Sequence, residues 1–356
     1  MTRTVLITGG AGFIGTNLCR YWRGQYPEDR LVVLDKLTYA VDSANLEGLG
    51  LDFDTGLRSR GEPISVSTSC FRFEQGDITD EKVVRKIFQS EDIEIVIHLA
   101  AESHVDRSIE NPAVFLDTNV KGTFILLQTS LDVSKNRCEK GRKGGSLRFV
   151  HVSTDEVFGS LEVSEPPFTE SSPYRPNSPY AASKAAADHL VRAYHKTYAL
   201  NTVITNCSNN YGPYQHSEKL VPLMIRNIAR KRSLPVYGDG ANIRDWIHVE
   251  DHCRGLAEVA LKGEPGETYN IGAGNEQSNI DLVELICDMS DKALKRSTGE
   301  SRKLIRFVKD RAGHDRRYAV DSSRIREKLN WKPERIFLKG LEETVEWYLS
   351  KMSHVD

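Results

Sequence analysis

The sequence predicts an α/β fold built on a doubly wound parallel sheet. Short apolar runs alternate with helix-like stretches from residue 4 to residue 205. The runs are continuously apolar, as in strands that are buried on both faces, rather than alternating. A glycine-rich turn joins the first run to the first helical stretch. Together these three observations favour successive βαβ units, which place helices on both faces of a parallel sheet.

Each element of this sheet has its own signal in the sequence. Apolar, β-branched runs predict strands at residues 4–8, 31–34, 71–75, 93–99, 148–153 and 202–205. Helical spacing of apolar residues predicts helices at residues 13–23, 82–89 and 114–131. Ser178 and Pro179 are typical of a helix start, and an alanine-rich run continues that helix.

A second, smaller unit is expected after about residue 207, where the alternation weakens. Pro and Gly cluster there, at residues 212–222, 235–240 and 263–274. We expect a sheet domain at residues 1–206 with a return segment at about 240–262, and a smaller mixed α/β substrate-binding domain at 207–239 and 263–356.

Two stretches interrupt the pattern. Residues 42–70 are mixed in character and lack periodicity, which predicts an excursion before the third strand. Residues 135–145 are basic and rich in glycine, which predicts a solvated surface loop.

Composition excludes several classes of protein. The 356 residues are 39% apolar and 28% charged, a mixture that can bury a core and disfavours disorder. The 48 Lys and Arg nearly balance the 50 Asp and Glu, which argues against nucleic-acid and membrane partners. No two of the six cysteines form a CxxC pair, the first residues lack the charged-then-apolar pattern of a signal peptide, and no apolar run approaches about 20 residues. We expect a cytoplasmic protein with reduced thiols.

A glycine turn follows the first predicted strand. Gly9, Gly12 and Gly15 let backbone N–H groups and a helix N-terminus approach a pyrophosphate closely. Asp35 stands 20 residues past the last of these glycines, at the end of the next strand, where a carboxylate can accept the ribose hydroxyls of adenosine. The pattern predicts dinucleotide binding with NAD as the cofactor, and Lys36 is the residue that would favour NADP.

Tyr180 and Lys184 form a YxxxK motif on one face of the predicted helix. A cation near a phenol stabilises the phenolate and lowers the pKa of the hydroxyl. The pair could therefore act as a general base that takes a proton from a sugar hydroxyl.

Asp155 and Glu156 directly follow a predicted strand, at the edge of the sheet where ligands bind. Adjacent carboxylates can divide acid and base duties when their environments separate their pKa values. Neighbours on a strand point to opposite faces, so both reach one pocket only if the chain leaves strand geometry at Thr154. The alternative is a helix N-cap with acidic residues in its first turn, and the spacing alone leaves both open.

Three cations in separate segments suit a diphosphate if the fold brings them together. They are Lys219, Arg244 and Arg311, although each by itself would more often be a surface ion pair. His248 and His252 share a helical spacing without a third ligand, so we expect no metal site.

Segments from about Thr4 to Tyr348 resemble the extended short-chain dehydrogenase/reductase family. They include TGGAGFIG, HLAAESHVDRS, STDEV, SPYAASKA and GHDRRYAVD. Within that family the chain is most similar to the dTDP-glucose 4,6-dehydratases, since related epimerases and decarboxylases typically lack the Asp-Glu pair of STDEV. The resemblance implies a Rossmann fold and favours a chemical role for that pair.

The resemblance also implies a reaction, the dehydration of a nucleoside diphosphate glucose to its 4-keto-6-deoxy sugar. Tyr180, assisted by Lys184 and Thr154, would deprotonate the C4 hydroxyl as hydride passes to NAD. Glu156 would then remove the acidified C5 proton while Asp155 protonates the departing C6 hydroxyl. Hydride would return to C6.

The same resemblance implies two sets of binding residues. The NAD site would comprise Gly9, Gly12, Phe13, Ile14, Gly15, Asp35, Lys36, Leu37, Thr38, Asp77, Ile78, Leu99, Ala100, Ala101, Ser103, Thr118, Tyr180, Lys184 and Asn210. The sugar-nucleotide site would comprise Ser103, Thr154, Asn209, Lys219, Leu220, Pro235, Val236, Tyr237, Arg244, Asn279, Arg311 and His314. The resemblance further implies a homodimer, formed through helices that include residues 114–131 and 180–198.

The sequence departs from the family pattern at a few positions. Phe158 stands where Tyr is common, residues 215–217 replace a typical His-Phe-Pro, and Ala312 replaces a proline. None of these positions is a catalytic candidate.

Three rival functions are dehydration of UDP-glucose or another nucleotide hexose, 4-epimerisation, and a catalytically silent NAD(H) or sugar-nucleotide sensor. The first two predict different products, and the sensor predicts no turnover.

Overall fold

A computed structural model describes residues 2–39, 41, 45, 64–141 and 146–352. Its largest element is an eight-stranded sheet in the order β11-β7-β6-β5-β1-β2-β4-β3, parallel except for β3. Its strands are β1 (Thr4–Thr8), β2 (Arg30–Asp35), β3 (Ser65–Ser67), β4 (Phe71–Gln75), β5 (Ile95–His98), β6 (Arg148–Thr154), β7 (Asn201–Cys207) and β11 (Thr268–Ile271). The predicted α/β class and doubly wound parallel sheet are confirmed.

Helices cover both faces of this sheet. Those that pack on it are α1 (Phe13–Gln25), α2 (Glu81–Ser90), α5 (Thr123–Glu139), α6 (Pro179–Tyr198), α8 (Val249–Lys262) and α10 (Ser323–Leu329), while the short helices α3 (Val105–Glu110) and α4 (Pro112–Phe115) pack on α6. One face packs against α1 and α8 through residues such as Trp22 and Leu256. The other packs against α2, α5 and α6 through residues such as Phe88, Leu127 and Val191. Burial on both faces explains why the strands are continuously apolar.

The helix predicted at residues 114–131 is longer in the structure. A π-helical stretch at Leu116–Gly122 joins α4 to α5, and α5 continues to Glu139. The expectation of a loop beginning at residue 135 is therefore wrong for residues 135–139. Arg137 donates a hydrogen bond to the Ile93 carbonyl at 2.8 Å and so fastens this last turn to the sheet. Residues 142–145 of the expected loop lie outside the described residues.

The remaining elements form a second layer beside the sheet. They are β8 (Asn209–Tyr211), β9 (Leu234–Tyr237), β10 (Ile243–His248), β12 (Glu276–Ser278), β13 (Ile305–Val308), β14 (Arg317–Tyr318), α7 (Leu220–Ala229), α9 (Asn279–Ala293) and α11 (Phe337–Met352). β10 pairs with β8, β12 and β14, and β9 pairs with β13. A separate apolar cluster joins α7, α9 and α11.

The expected division into two domains stays a prediction. β11 falls in the part assigned to the second domain, yet it pairs with β7 and extends the large sheet. Within the excursion expected at residues 42–70, residues 42–44 and 46–63 lie outside the described residues. The described part adds β3 to the edge of the sheet.

Candidate active site

A cavity of about 640 Å³ opens at the carboxyl ends of the parallel strands. Gly9, Asp35, Leu99, Thr154 and Cys207 line it, at the ends of β1, β2, β5, β6 and β7. This edge is where ligands bind in open α/β sheets. Segments of the second layer close the opposite side of the cavity.

Every predicted site residue except Leu37 lines this one cavity. Leu37 has a left-handed backbone (φ 56°), and its N–H donates to Asp35 Oδ1 at 2.8 Å. The side chain that sequence reasoning placed in the cofactor site therefore lies outside the cavity lining, and its backbone supports Asp35 instead.

The glycine turn forms a cradle that side chains would fill. Gly9 has φ +71°, and a Cβ there would lie 2.7 Å from the Ala100 nitrogen. A Cβ on Gly15 would lie 2.1 Å from the Gly9 carbonyl oxygen. Gly12 is the N-cap of α1, and no side chain caps this helix end. Free N–H groups at the end of a helix beside a cavity suit a pyrophosphate.

Asp35, the last residue of β2, and Lys36, which follows it, line the same cavity as the glycine turn. The Asp35 carboxylate accepts hydrogen bonds from the Ala11 N–H at 3.0 Å and from Leu37, and burial raises the pKa of this carboxyl. Lys36 Nζ lies 2.7 Å from Asp77 Oδ2. Burial alone would raise the pKa of Asp77, but the contact with Lys36 and hydrogen bonds from Thr79 lower it. The cation that would favour NADP is thus already paired.

The chain leaves strand geometry where the Asp-Glu pair needs it to. β6 ends at Thr154, and a 3₁₀ turn at Asp155–Phe158 follows directly. Thr154 caps this turn by accepting the Glu156 N–H at 3.3 Å, and both Asp155 and Glu156 line the cavity. The sequence left two alternatives for this segment, a helix N-cap and a pair of carboxylates in one pocket. The structure contains both, because the capped turn itself brings the two carboxyl groups to the cavity.

The two carboxyl groups differ in their electrostatic surroundings. Burial, with the negative charges of Glu156 and Asp245, raises the pKa of Asp155 well above its usual value. Burial also raises the pKa of Glu156, but Arg244, Lys219 and Arg311 all oppose that rise. The charges around the two carboxyl groups thus differ, which is the condition for a division of acid and base duties.

Tyr180 and Lys184 lie side by side on α6 and both line the cavity. Burial, together with the charge of Glu156, raises the pKa of Tyr180 well above its usual value, while a hydrogen bond with Thr154 opposes the rise. The Lys184 ammonium donates to the Val152 carbonyl at 2.8 Å. Desolvation of the phenol is the largest of these effects, and the assistance of Tyr180 by Lys184 stays a prediction.

The three expected diphosphate cations meet at the other end of the cavity. Arg244 lies 4.2 Å from the centre of the Tyr318 ring and donates to the Asp315 carbonyl at 2.9 Å. Lys219 Nζ donates to the Ser103 carbonyl at 3.0 Å. Each cation keeps a place in the cavity lining.

Sequence reasoning missed several residues that line the cavity, among them Asp106, Glu218, Asp315 and Tyr318. Asp106 accepts two hydrogen bonds from Arg311, at 2.5 and 3.0 Å. Three of these four residues lie in HVDRS and GHDRRYAVD, segments that carry the family resemblance. The resemblance of a segment to a family does not by itself show which of its side chains line the cavity.

The paired histidines serve separate structural purposes. His248 caps α8 by accepting the Glu250 N–H, and His252 Nδ1 lies 2.9 Å from Asn210 Oδ1. Within the described ranges, no group of three His, Cys, Asp or Glu side chains could hold a metal ion. None of the described helices is long and apolar enough to cross a membrane.

A family model described as GDP-mannose 4,6 dehydratase matches residues 6–344. The chain belongs to this family. Relatives include a dTDP-glucose 4,6-dehydratase of Shigella flexneri, 46% identical over 99% of this chain and 94% of that protein. Another, from Neisseria gonorrhoeae, is 48% identical over 98% of this chain and 96% of that protein.

Solved structures of similar proteins agree with this family. The dTDP-glucose 4,6-dehydratase DesIV of Streptomyces venezuelae, with NAD bound, has a TM-score of 0.82 and 43% identity, covering 99% of this chain and 98% of that one. The Bacillus anthracis dTDP-glucose 4,6-dehydratase in complex with NAD has a TM-score of 0.81 and 38% identity, with the same coverage.

Phe158, one departure from the family pattern, packs against Phe168 and Tyr174 in a buried aromatic cluster.

Proposed function

We propose that the protein is an NAD-dependent dTDP-glucose 4,6-dehydratase, which converts dTDP-glucose to the 4-keto-6-deoxy sugar. The observation that carries this proposal is the meeting of the Asp155–Glu156 turn with Tyr180 and Lys184 in one cavity. An epimerase would leave the two carboxyl groups idle, and a sensor would have no need of all four residues. The relatives with that activity, similar over nearly the full chain, support the same reaction.

The glycine cradle and Asp35 would hold NAD. The uncapped end of α1 would face the pyrophosphate, and the Asp35 carboxylate retains lone pairs for ribose hydroxyls. When bound, NAD would supply the hydride acceptor at C4, a positive charge beside the site, and the hydride that returns to C6. The pairing of Lys36 with Asp77 supports NAD over NADP.

Tyr180 would act as the base at the C4 hydroxyl. Its raised pKa means that the neutral phenol strongly predominates when Glu156 is ionised. Deprotonation therefore requires positive charge nearby, and Lys184 is the cation that the chain itself provides. The hydrogen bond between Thr154 and the phenol favours the same ionisation.

Asp155 and Glu156 would share the elimination of water. Oxidation at C4 acidifies the C5 proton, which Glu156 would remove. Asp155, whose pKa is raised further, would stay protonated and donate that proton to the departing C6 hydroxyl. Lys219, Arg244 and Arg311 would neutralise the substrate diphosphate.

Three finer proposals accompany this function. Exposed apolar side chains on α3 to α6 and the π-helical stretch support a homodimer formed through these helices; they are Ile109, Val114, Leu116, Phe124 and Tyr198. Six free cysteines support the reducing cytoplasm as its location. We also propose the division into an NAD-binding domain and a sugar-nucleotide-binding domain.

Mass spectrometry tests the reaction and the substrate together. The purified protein would be incubated with dTDP-, UDP-, CDP- and GDP-glucose, first without and then with added NAD. Loss of one water from dTDP-glucose is the expected result. Loss of water from another nucleotide sugar would change the substrate, and no loss of mass with any of them would overturn the dehydration.

A further inference from the structure

Helix α6 presents a third ionisable residue to the sheet, beyond the two with proposed roles. Tyr180, Lys184 and Asp188 are spaced four residues apart, so they form one stripe along the helix. All three are buried, and Asp188 is completely so. Nothing in the proposed reaction uses Asp188.

The stripe is fastened to consecutive residues at the end of β6. Lys184 Nζ donates to the Val152 carbonyl at 2.8 Å, and Ser153 Oγ donates to Asp188 Oδ2 at 2.9 Å. Thr154, the next residue, contacts the Tyr180 phenol. The hydrogen bond to Asp188 therefore helps to set how α6 lies against the strand that carries the catalytic turn.

The donors around Asp188 leave one side of its carboxylate short of partners. Ser153 and Tyr174 both donate to Oδ2, the latter at 2.7 Å. His151 Nε2 lies 3.2 Å from Oδ1, but its ring is not aligned to donate a hydrogen bond. Burial, with the charge of Lys184, lowers the pKa of His151 to about 4, so this ring is neutral and does not balance the carboxylate charge.

A buried carboxylate that stays ionised needs a cation nearby. Burial alone would raise the pKa of Asp188, but His151 and Tyr174, which contact the carboxylate, and the charge of Lys184 lower it. Lys184 is the buried cation among them, one helical turn away. Conversely, burial lowers the pKa of Lys184, and the charge of Asp188 is the largest effect that opposes this.

We propose that Asp188 is the positioning residue of this site, a buried counter-charge that keeps the Lys184 ammonium protonated beside Tyr180. This inference rests on the proposed function, because the role of Lys184 does. Asp188 does not touch the cavity and acts through Lys184.

Several other titratable groups face this pair and enter any dependence on pH. Those that act on the pair itself come from β5, β6, β7, the segment before α6 and α6, and they are His98, His151, Cys207, Tyr174 and Arg192. Asp155 and Glu156, in the turn after β6, act on Tyr180. Burial raises the pKa of Cys207 to about 12, so its thiol remains neutral. The test must therefore separate Lys184 from Asp155, which would act only in the later elimination.

The test is the pH dependence of the C4-oxidation step, measured in single turnovers with dTDP-glucose. Asp188→Asn keeps the shape of the side chain and removes its charge. Without that charge Lys184 loses its proton at lower pH. The alkaline limb of the profile, where the oxidation rate falls as the pH rises, should therefore move down by about one pH unit. Ser153→Ala, the matched control, removes a hydrogen bond to Asp188 but leaves the charge, so it should lower the rate without moving the limb.

The conservative variant Asp188→Glu keeps the charge, so its alkaline limb should lie at the same pH as that of the wild-type protein. Asp188→Ser is a second neutral variant, and the same downward shift is expected of it. If the C4-oxidation rate of Asp188→Asn falls by the same factor at every pH, with no shift of the alkaline limb, the proposal is wrong. Failure of both neutral variants to fold, judged by thermal unfolding, would also overturn it, because the charge would then serve folding.

The wild-type protein separates this inference from the proposed function. If it fails to dehydrate any nucleotide sugar, the proposed function falls. If it is active and the limb of Asp188→Asn does not move, the assignment of Asp188 falls alone.

Discussion

The cavity has two unlike walls. The sheet wall consists of the end of β6, the turn at Asp155–Phe158 and helix α6. The loop wall consists of the cations Lys219, Arg244 and Arg311. The sheet-wall groups come from two joined elements, the end of β6 with its turn and helix α6, and the Val152 carbonyl holds the Lys184 ammonium there. The loop-wall cations come from three separate segments: backbone carbonyls hold Lys219 and Arg244, and an ion pair with Asp106 holds Arg311.

This difference separates chemistry from recognition. Proton transfer needs groups that are fixed and desolvated, and a parallel strand joined to a long helix supplies both. Binding of a diphosphate needs cations from several directions, and separate segments supply these: the start of α7, strand β10 and the segment before β14. We therefore expect changes to the sheet wall to lower kcat, and changes to the loop wall to raise KM.

The largest effect is expected from Tyr180→Phe on the sheet wall. Removing the phenol hydroxyl should lower kcat about 10³-fold or more, because the phenol is the proposed base at the C4 hydroxyl. Tyr194→Phe is the matched control on the same helix, since its hydroxyl bonds Gln128 away from the cavity. Steady-state kinetics on dTDP-glucose measures both, and near-normal turnover of Tyr180→Phe would remove it as the base.

Glu156→Gln should separate the steps that share the sheet wall. C4 oxidation should persist, while exchange of the C5 proton with solvent should slow by about 10²-fold, because an amide cannot accept that proton. The exposed Glu162 offers the control variant Glu162→Gln. Deuterium incorporation at C5 is the measurement, and wild-type exchange in Glu156→Gln would contradict its role.

Arg311→Ala tests the loop wall. Loss of charge-assisted hydrogen bonds to a diphosphate should raise KM about tenfold and leave kcat nearly unchanged. Arg316→Ala is the control, because Arg316 pairs with Asp239 and does not line the cavity. A fall in kcat at constant KM would break the distinction between the two walls.

Lys219→Met tests the smallest effect, electrostatic coupling across the cavity. Lys219 lowers the pKa of Glu156, against the larger effect of burial, and is not among the charges that act on Asp155. Removing it should raise the pKa of Glu156, so activity would be lost at a higher pH as the solution is acidified. We expect the acid limb of C5 exchange to rise by at most about one pH unit. An unmoved acid limb would show that the walls are not coupled.

The two walls also differ in how far sequence could predict them. The parallel strands and α6 follow from local patterns, because apolar runs, glycine spacing and helix starts are local signals. Most of the residues expected to line the cavity follow from the family resemblance instead. β3 and β11 escaped notice because short pairing strands carry little periodicity. The ion pair of Arg311 with Asp106 joins positions 205 residues apart in the chain. The raised pKa of Tyr180 also could not be read from YxxxK, since it depends on the total burial around the phenol.

The passage from β6 into its turn makes the site sensitive to the length of the chain as well as to its composition. Strand side chains alternate between faces, so one residue inserted between Phe149 and Ser153 would exchange the inward and outward faces of the remaining strand residues. Asp155 and Glu156 would remain in the sequence and leave their places opposite α6. An insertion in the exposed stretch at residues 162–166 would disturb none of these contacts. Homologues and designed variants should accordingly accept length changes in that stretch far more readily than in β6.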